Sequence, residues 1–131
     1  MRIINLNHPE SHAIEPPLVK MASSEDRLEA LKGRKLLELV RHLQAQGPAP
    51  QVCGSLVLRH ELWLMTYNLA NQVLVKVWVD WQDYGPLFDG LPVAHYRLQF
   101  KGENSAISEN ARAGRPEEAE QVLLKAFDSS A

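Results

Sequence analysis

The chain has a single cysteine, Cys53. No intramolecular disulfide can form, and a lone thiol fits a reducing compartment, so the expected location is cytoplasmic. No apolar run reaches the roughly eighteen residues that a membrane-spanning helix needs. The opening residues Met1-Arg2-Ile3-Ile4-Asn5-Leu6-Asn7-His8-Pro9 put no apolar stretch behind Arg2, so no secretory leader is read there. An excess of charge is lacking too: 14 Lys and Arg stand against 16 Asp and Glu, a formal net charge of −2. Such a balance creates no long-range field toward nucleic acid or an anionic membrane, and neither is expected as a partner. There is no Gly-rich phosphate cradle, no GxSxG, no CxxC and no HExxH, and no cofactor is expected.

What is present fits one globular domain spanning residues 1–131, with 45% apolar and 23% charged residues. A chain of this length buries enough surface to fold without covalent staples. The plainest signal is Val73-Leu74-Val75-Lys76-Val77-Trp78-Val79-Asp80, where every odd position is valine. Strict alternation of β-branched residues predicts a strand with the valines on a core face. Leu74, Lys76, Trp78 and Asp80 then share the other face.

Around that strand, Arg2–Leu6 is a short N-terminal strand candidate. Residues 8–22, with Pro9, Pro16 and Pro17, read as an extended connection. A helix is expected from an N-cap at Ser23 or Ser24 to about Gln46, stopped by Gly47-Pro48. Gly33 within it implies a kink, a break or a close packing contact. Ser55–Tyr67 is read as a strand, although Leu58, Leu62, Met65 and Leu69 also form a helical stripe. Tyr84–Pro92 is a turn-rich loop. Tyr96, Leu98 and Phe100 alternate with His95, Arg97 and Gln99 to give a third central strand, and residues 102–115 read as a polar loop. Pro116 opens a final helix whose buried stripe is Ala119, Val122, Leu123, Ala126 and Phe127.

The predicted fold class is therefore α+β. About three central strands form an antiparallel β-meander, joined by a short N-terminal strand, with two amphipathic helices on one face, in the order β-α-β-β-β-α.

If both helices cover the valine face, the opposite face carries Arg59, Glu61, Trp63, Met65 and Tyr67, then Leu74, Lys76, Trp78 and Asp80, then His95, Arg97 and Gln99. Trp63, Tyr67, Lys76, Trp78, His95 and Arg97 are the candidate binding residues there. Three occupants suit such a surface. The 8–22 connection could fold over it through Ile14, Leu18 and Val19. A second copy, or another protein, could dock on the Trp, Tyr, Met and Arg types that interfaces favour. A small molecule could bind a pocket contacted by His95, Arg97 and Tyr67. The expected function is a non-enzymatic protein-interaction module, homodimeric through this face, with a small-ligand-binding protein or enzyme as the alternative.

Candidate chemistry elsewhere is thin. Neighbours on a strand point to opposite faces, so His60 and Glu61 do not meet as base and orienter, and no catalytic residue is assigned. His8 and His12 have helical ligand spacing but flank Pro9 and lack a third ligand, so no metal is expected. Asp80, Asp83 and Asp89 do not match a calcium loop. Cys53 has no adjacent positive charge and reads as an inert thiol. A sheet face bearing aromatics resembles surfaces that stack single-stranded RNA, but only Arg59, Lys76 and Arg97 supply positive charge there.

Overall fold

The computed structural model describes residues 1–5, 13–47, 51–57, 61–66, 73–82, 93–102 and 109–128. Within them the order is β1 (Arg2–Asn5), α1 (Glu15–Ala22), α2 (Arg27–Ala45), β2 (Gln51–Val57), β3 (Glu61–Thr66), β4 (Val73–Gln82), β5 (Val93–Gly102), β6 (Glu109–Ala113) and α3 (Pro116–Asp128). The strands form one six-stranded sheet in chain order. From β2 to β6 every neighbour is antiparallel, while β1 runs parallel to β2. A parallel pair needs a long crossover, which α1 and α2 supply.

The class is α+β, but the expected β-α-β-β-β-α order is replaced by β-α-α-β-β-β-β-β-α, six strands and three helices among the described residues; the valine strand is where alternation puts it. Val75 and Val77 are fully buried and Val79 is 3% exposed. Register joins these valines to Leu62 and Leu64 on β3 and to Leu98 and Tyr96 on β5. Against this face pack Leu36, Leu39, Val40 and Leu43 of α2 and Ala119, Leu123 and Phe127 of α3, in one cluster. Period-two and period-3.6 patterns thus meet in a single core.

Four expectations are corrected. The Ser55–Tyr67 region is a hairpin rather than one strand, with Leu56 paired to Leu62 and Val57 to Glu61. Residues 58–60 and 67 lie outside the described ones. The 8–22 connection is not extended throughout, because Glu15–Ala22 is helical with proline in its first turn. Proline costs little there, since the missing N–H has no intrahelical acceptor to lose. The 102–115 stretch is not all loop: Glu109–Ala113 adds strand β6, with Ala111 opposite Leu98 and Ala113 opposite Tyr96. Small side chains suffice at that edge because α3 lies over them. Finally, α2 is capped by Asp26 rather than by a serine. The Asp26 carboxylate accepts from the backbone N–H of Leu28 at 2.9 Å and of Glu29 at 3.4 Å. Ser24 supports that cap by accepting from the Asp26 N–H at 3.2 Å.

The helices are tied to the sheet by polar contacts at their ends. The Met1 ammonium donates to the carbonyls of Leu43 at 2.7 Å and Gly47 at 2.6 Å. Leu43 is in the last turn of α2 and Gly47 lies just past it, so the positive group meets the negative end of the helix dipole. Burial nevertheless lowers the pKa of this ammonium, with Glu120 acting in the opposite sense. Glu120 of α3 also approaches His42 of α2, Oε2 to Nε2 3.5 Å. Asn5, buried at the end of β1, donates from Nδ2 to the Ala13 carbonyl at 2.9 Å. None of the described helices is long and apolar enough to cross a membrane.

Candidate interaction face

Pairing register places the side chains of the face opposite the helices. One row runs Ile4, Cys53, Met65, Leu74. The next holds Ser55, Trp63, Lys76 and Gln99, and the one after it Val57, Glu61, Trp78, Arg97 and Arg112. Asp80 beside His95 closes the face. Each strand contributes alternate residues, because its other residues are committed to the core.

Five of the six candidate binding residues, Trp63, Lys76, Trp78, His95 and Arg97, therefore share this face. Tyr67, the sixth, lies outside the described residues, as do Arg59, His60, His8, His12, Asp83 and Asp89. Trp63, Lys76, Trp78, Arg97, Met65 and Leu74 are all half-buried. His95 and Cys53 are buried, each only 7% exposed. Ile4, Cys53, Ser55 and Arg112 belong to the face without having been singled out for it. Ile4 sits on the expected N-terminal strand and Ser55 at the start of the expected Ser55–Tyr67 strand, whereas the first half of β2 and all of β6 were hidden: Gly54-Ser55 interrupts the one, and Asn110-Ala111-Arg112-Ala113 is too small and polar to announce the other.

The aromatic residues are held by charged neighbours. Trp63 donates from Nε1 to the Glu61 carboxylate at 2.9 Å. Lys76, its partner across the strand pair, places Nζ 4.7 Å from the Trp63 ring centroid. A cation over an indole face contributes on the order of 0.5–1 kcal/mol at an exposed site. Both contacts orient the ring while leaving part of it in solvent. Trp78 stands between Glu61 on β3 and Arg97 on β5.

The N-terminal connection does not supply the expected cover, as far as it is described. Ile14 and Leu18 are fully buried in the helix-side core, and Val19 is 42% exposed. Gly54 makes room for Ile3 on that side: a Cβ there would stand 2.5 Å from Ile3 Cγ2, while Ile14 Cδ1 lies at an ordinary contact distance of 3.8 Å. Once Ile14 is seated on that side, α1 continues along α2. Among the described residues, no helix lies over Trp63 or Trp78.

No three His, Cys, Asp or Glu side chains converge as a metal cradle among the described residues. What the face offers chemically is apolar and aromatic area interleaved with both signs of charge. No family model matches the chain, and neither a curated protein nor a solved structure does.

Proposed function

We propose that this chain is a protein-interaction module that works through the open face of its sheet, with a second copy of itself as the occupant. One observation carries the reading: Trp63 and Trp78 are half-buried on a face where described residues place no helix, next to Met65, Leu74 and Arg97. Leaving two indoles and two aliphatic side chains partly in water is unfavourable at roughly 25 cal/mol per Å², and a docked surface recovers that area. Trp and Arg are also the residue types on which binding energy concentrates.

The test is sedimentation velocity on the whole chain and on Trp78→Ala across a wide concentration range. The wild type is expected to associate and the variant to do so at least tenfold more weakly, while its circular dichroism and unfolding midpoint stay close to those of the wild type. A wild type that stays monomeric at millimolar concentration overturns the reading.

A further inference from the structure

Trp78 lies on β4 with Glu61 one strand away on β3 and Arg97 one strand away on the other side, on β5, all three in one row across the sheet. The acid and the base are thus placed symmetrically about the tryptophan. Neither is in an ion pair with another described residue, in contrast to Arg41 with Glu15 and His42 with Glu120. Arg97 instead has Arg112 as its cross-strand neighbour on β6. Like charges directly opposite on adjacent strands repel, and an acidic group arriving from outside the sheet would relieve this.

Resting on the reading just given, we infer that two copies pack face to face about a two-fold axis that lies between the sheets and runs along β4. Rotation about such an axis carries β3 of one copy over β5 of the other at the same height. Glu61 then stands opposite Arg97 of the second copy, and the symmetry makes this contact twice. Trp78 meets Trp78 at the centre. A two-fold axis crossing the strands at the level of Trp78 would instead set Glu61 against Glu61 and Arg97 against Arg97. The charges therefore select between the two ways of closing the same surface.

The dimensions allow the contact. Packed sheets lie about 10 Å apart, a gap that an extended arginine and a glutamate bridge from opposite sides. Aligned sheets cross at about 30°, which displaces a residue one strand from the axis, about 4.8 Å away, by only ~2–3 Å. Lys76 is also on β4, but its ammonium is drawn over the Trp63 ring and hence away from the axis, toward Gln99 of the second copy. Val57 would cover Arg112 of the second copy. The arrangement has one unfavourable contact, Asp80 opposite Asp80, exposed at the end of the face beside His95. Two Glu61–Arg97 pairs at the centre stand against it.

Charge exchange tests the axis. Glu61→Arg and Arg97→Glu, each studied as the whole chain by sedimentation velocity, should self-associate at least tenfold more weakly than the wild type. Mixed in equal amounts they should form a one-to-one heterodimer, seen by native mass spectrometry, because both cross-sheet contacts are then complementary. The double variant should dimerise with itself. Loss of the Trp63 hydrogen bond in Glu61→Arg does not confuse the outcome, since Glu61→Gln keeps an acceptor and should still weaken association, and a misfolded chain would not recover on mixing. Variants that remain as dimeric as the wild type overturn this axis. The broader interaction reading would then still stand on Trp78→Ala, with the copies joined differently, edge to edge included. Folded single variants that fail to pair on mixing also overturn it.

Discussion

Gly33 of α2 meets Met21 of α1 so closely that a Cβ on the glycine would stand 2.6 Å from the Met21 Cβ. It would also stand 2.5 Å from the Ala22 nitrogen and 2.7 Å from the Met21 carbonyl carbon. Two of those three atoms are backbone, so no rotamer change makes room. The helix does not break at Gly33; the glycine is the point where α1 crosses it.

Gly33→Ala follows directly. Helix propensity alone favours alanine by about 1 kcal/mol, and an exposed site would show that gain. Here the α1 backbone must shift, and overpacking of this kind costs roughly 1–3 kcal/mol. The variant should unfold at lower urea than the wild type, with an unchanged slope. A more stable variant would mean that α1 and α2 are not packed this way.

Tyr96 joins β5 to α2, its hydroxyl donating to the Lys35 carbonyl while the ring is fully buried under the Lys35 ammonium, 4.7 Å from the centroid. Burial pushes the phenol pKa well above its ordinary value of 10.0, and Glu38 and Glu117 act in the same sense. The proton is thus held more tightly in the folded chain than in the unfolded one. The stability this contributes is complete below pH 10 and is lost progressively above it. Tyr96→Phe should cost about 0.5–1.5 kcal/mol at neutral pH. It should also flatten the fall in stability above pH 10 measured by urea titration, and equal alkaline slopes in the two proteins would refute the link.

Asp26 offers a local test of where α2 begins. Removing its carboxylate in Asp26→Ala leaves the Leu28 and Glu29 N–H groups without that acceptor, at a cost of roughly 0.5–2 kcal/mol. Asp26→Ser should retain most of the stability, and Ser24→Ala should cost less than Asp26→Ala. If Ser24→Ala proved the more damaging of the two, the helix would start earlier, where the serines first suggest a cap.

How much was legible in the sequence depended on how strongly each element advertises its period. Val75, Val77 and Val79 and the stripe from Ala119 to Phe127 each bury one face against bulky partners, and both patterns are plain. The β2–β3 hairpin was misread because the sequence between Val57 and Glu61 contains none of the residues that usually announce a turn. Among the described residues its two faces are those the alternation predicts. Leu56 pairs with Leu62, so residues of equal parity on β2 and β3 share one side of the sheet. The helix α1 was hidden by Pro16 and Pro17, which break a helix anywhere except its first turn. Gly54 lies in the interior of β2, where a Cβ would stand 2.5 Å from Ile3 Cγ2. That close approach comes from a residue about fifty positions away, and no local pattern carries it. The same holds for Arg112: with β6 unread, the sheet face had one fewer positive charge, and the crowding beside Arg97 was invisible.

That crowding yields a last prediction, one that separates the sheet's own stability from any association. Arg97 and Arg112 are register partners on β5 and β6, and like charges so placed are destabilising by a few tenths to about 1 kcal/mol. Arg112 is exposed, so the lower part of that range applies. Arg112→Gln should therefore stabilise the chain slightly at low ionic strength. The gain should vanish near 1 M salt, where the screening length falls to about 3 Å. Arg97→Gln should show the same relief in unfolding experiments, yet it also removes the positive partner of Glu61. Of the two substitutions, only Arg97→Gln should then weaken self-association, because the axis along β4 sets Arg112 over Val57. Equal losses of association in both variants would place the docked surface nearer the β6 edge. No gain in stability at low salt in either would mean that the two guanidinium groups avoid each other in solution.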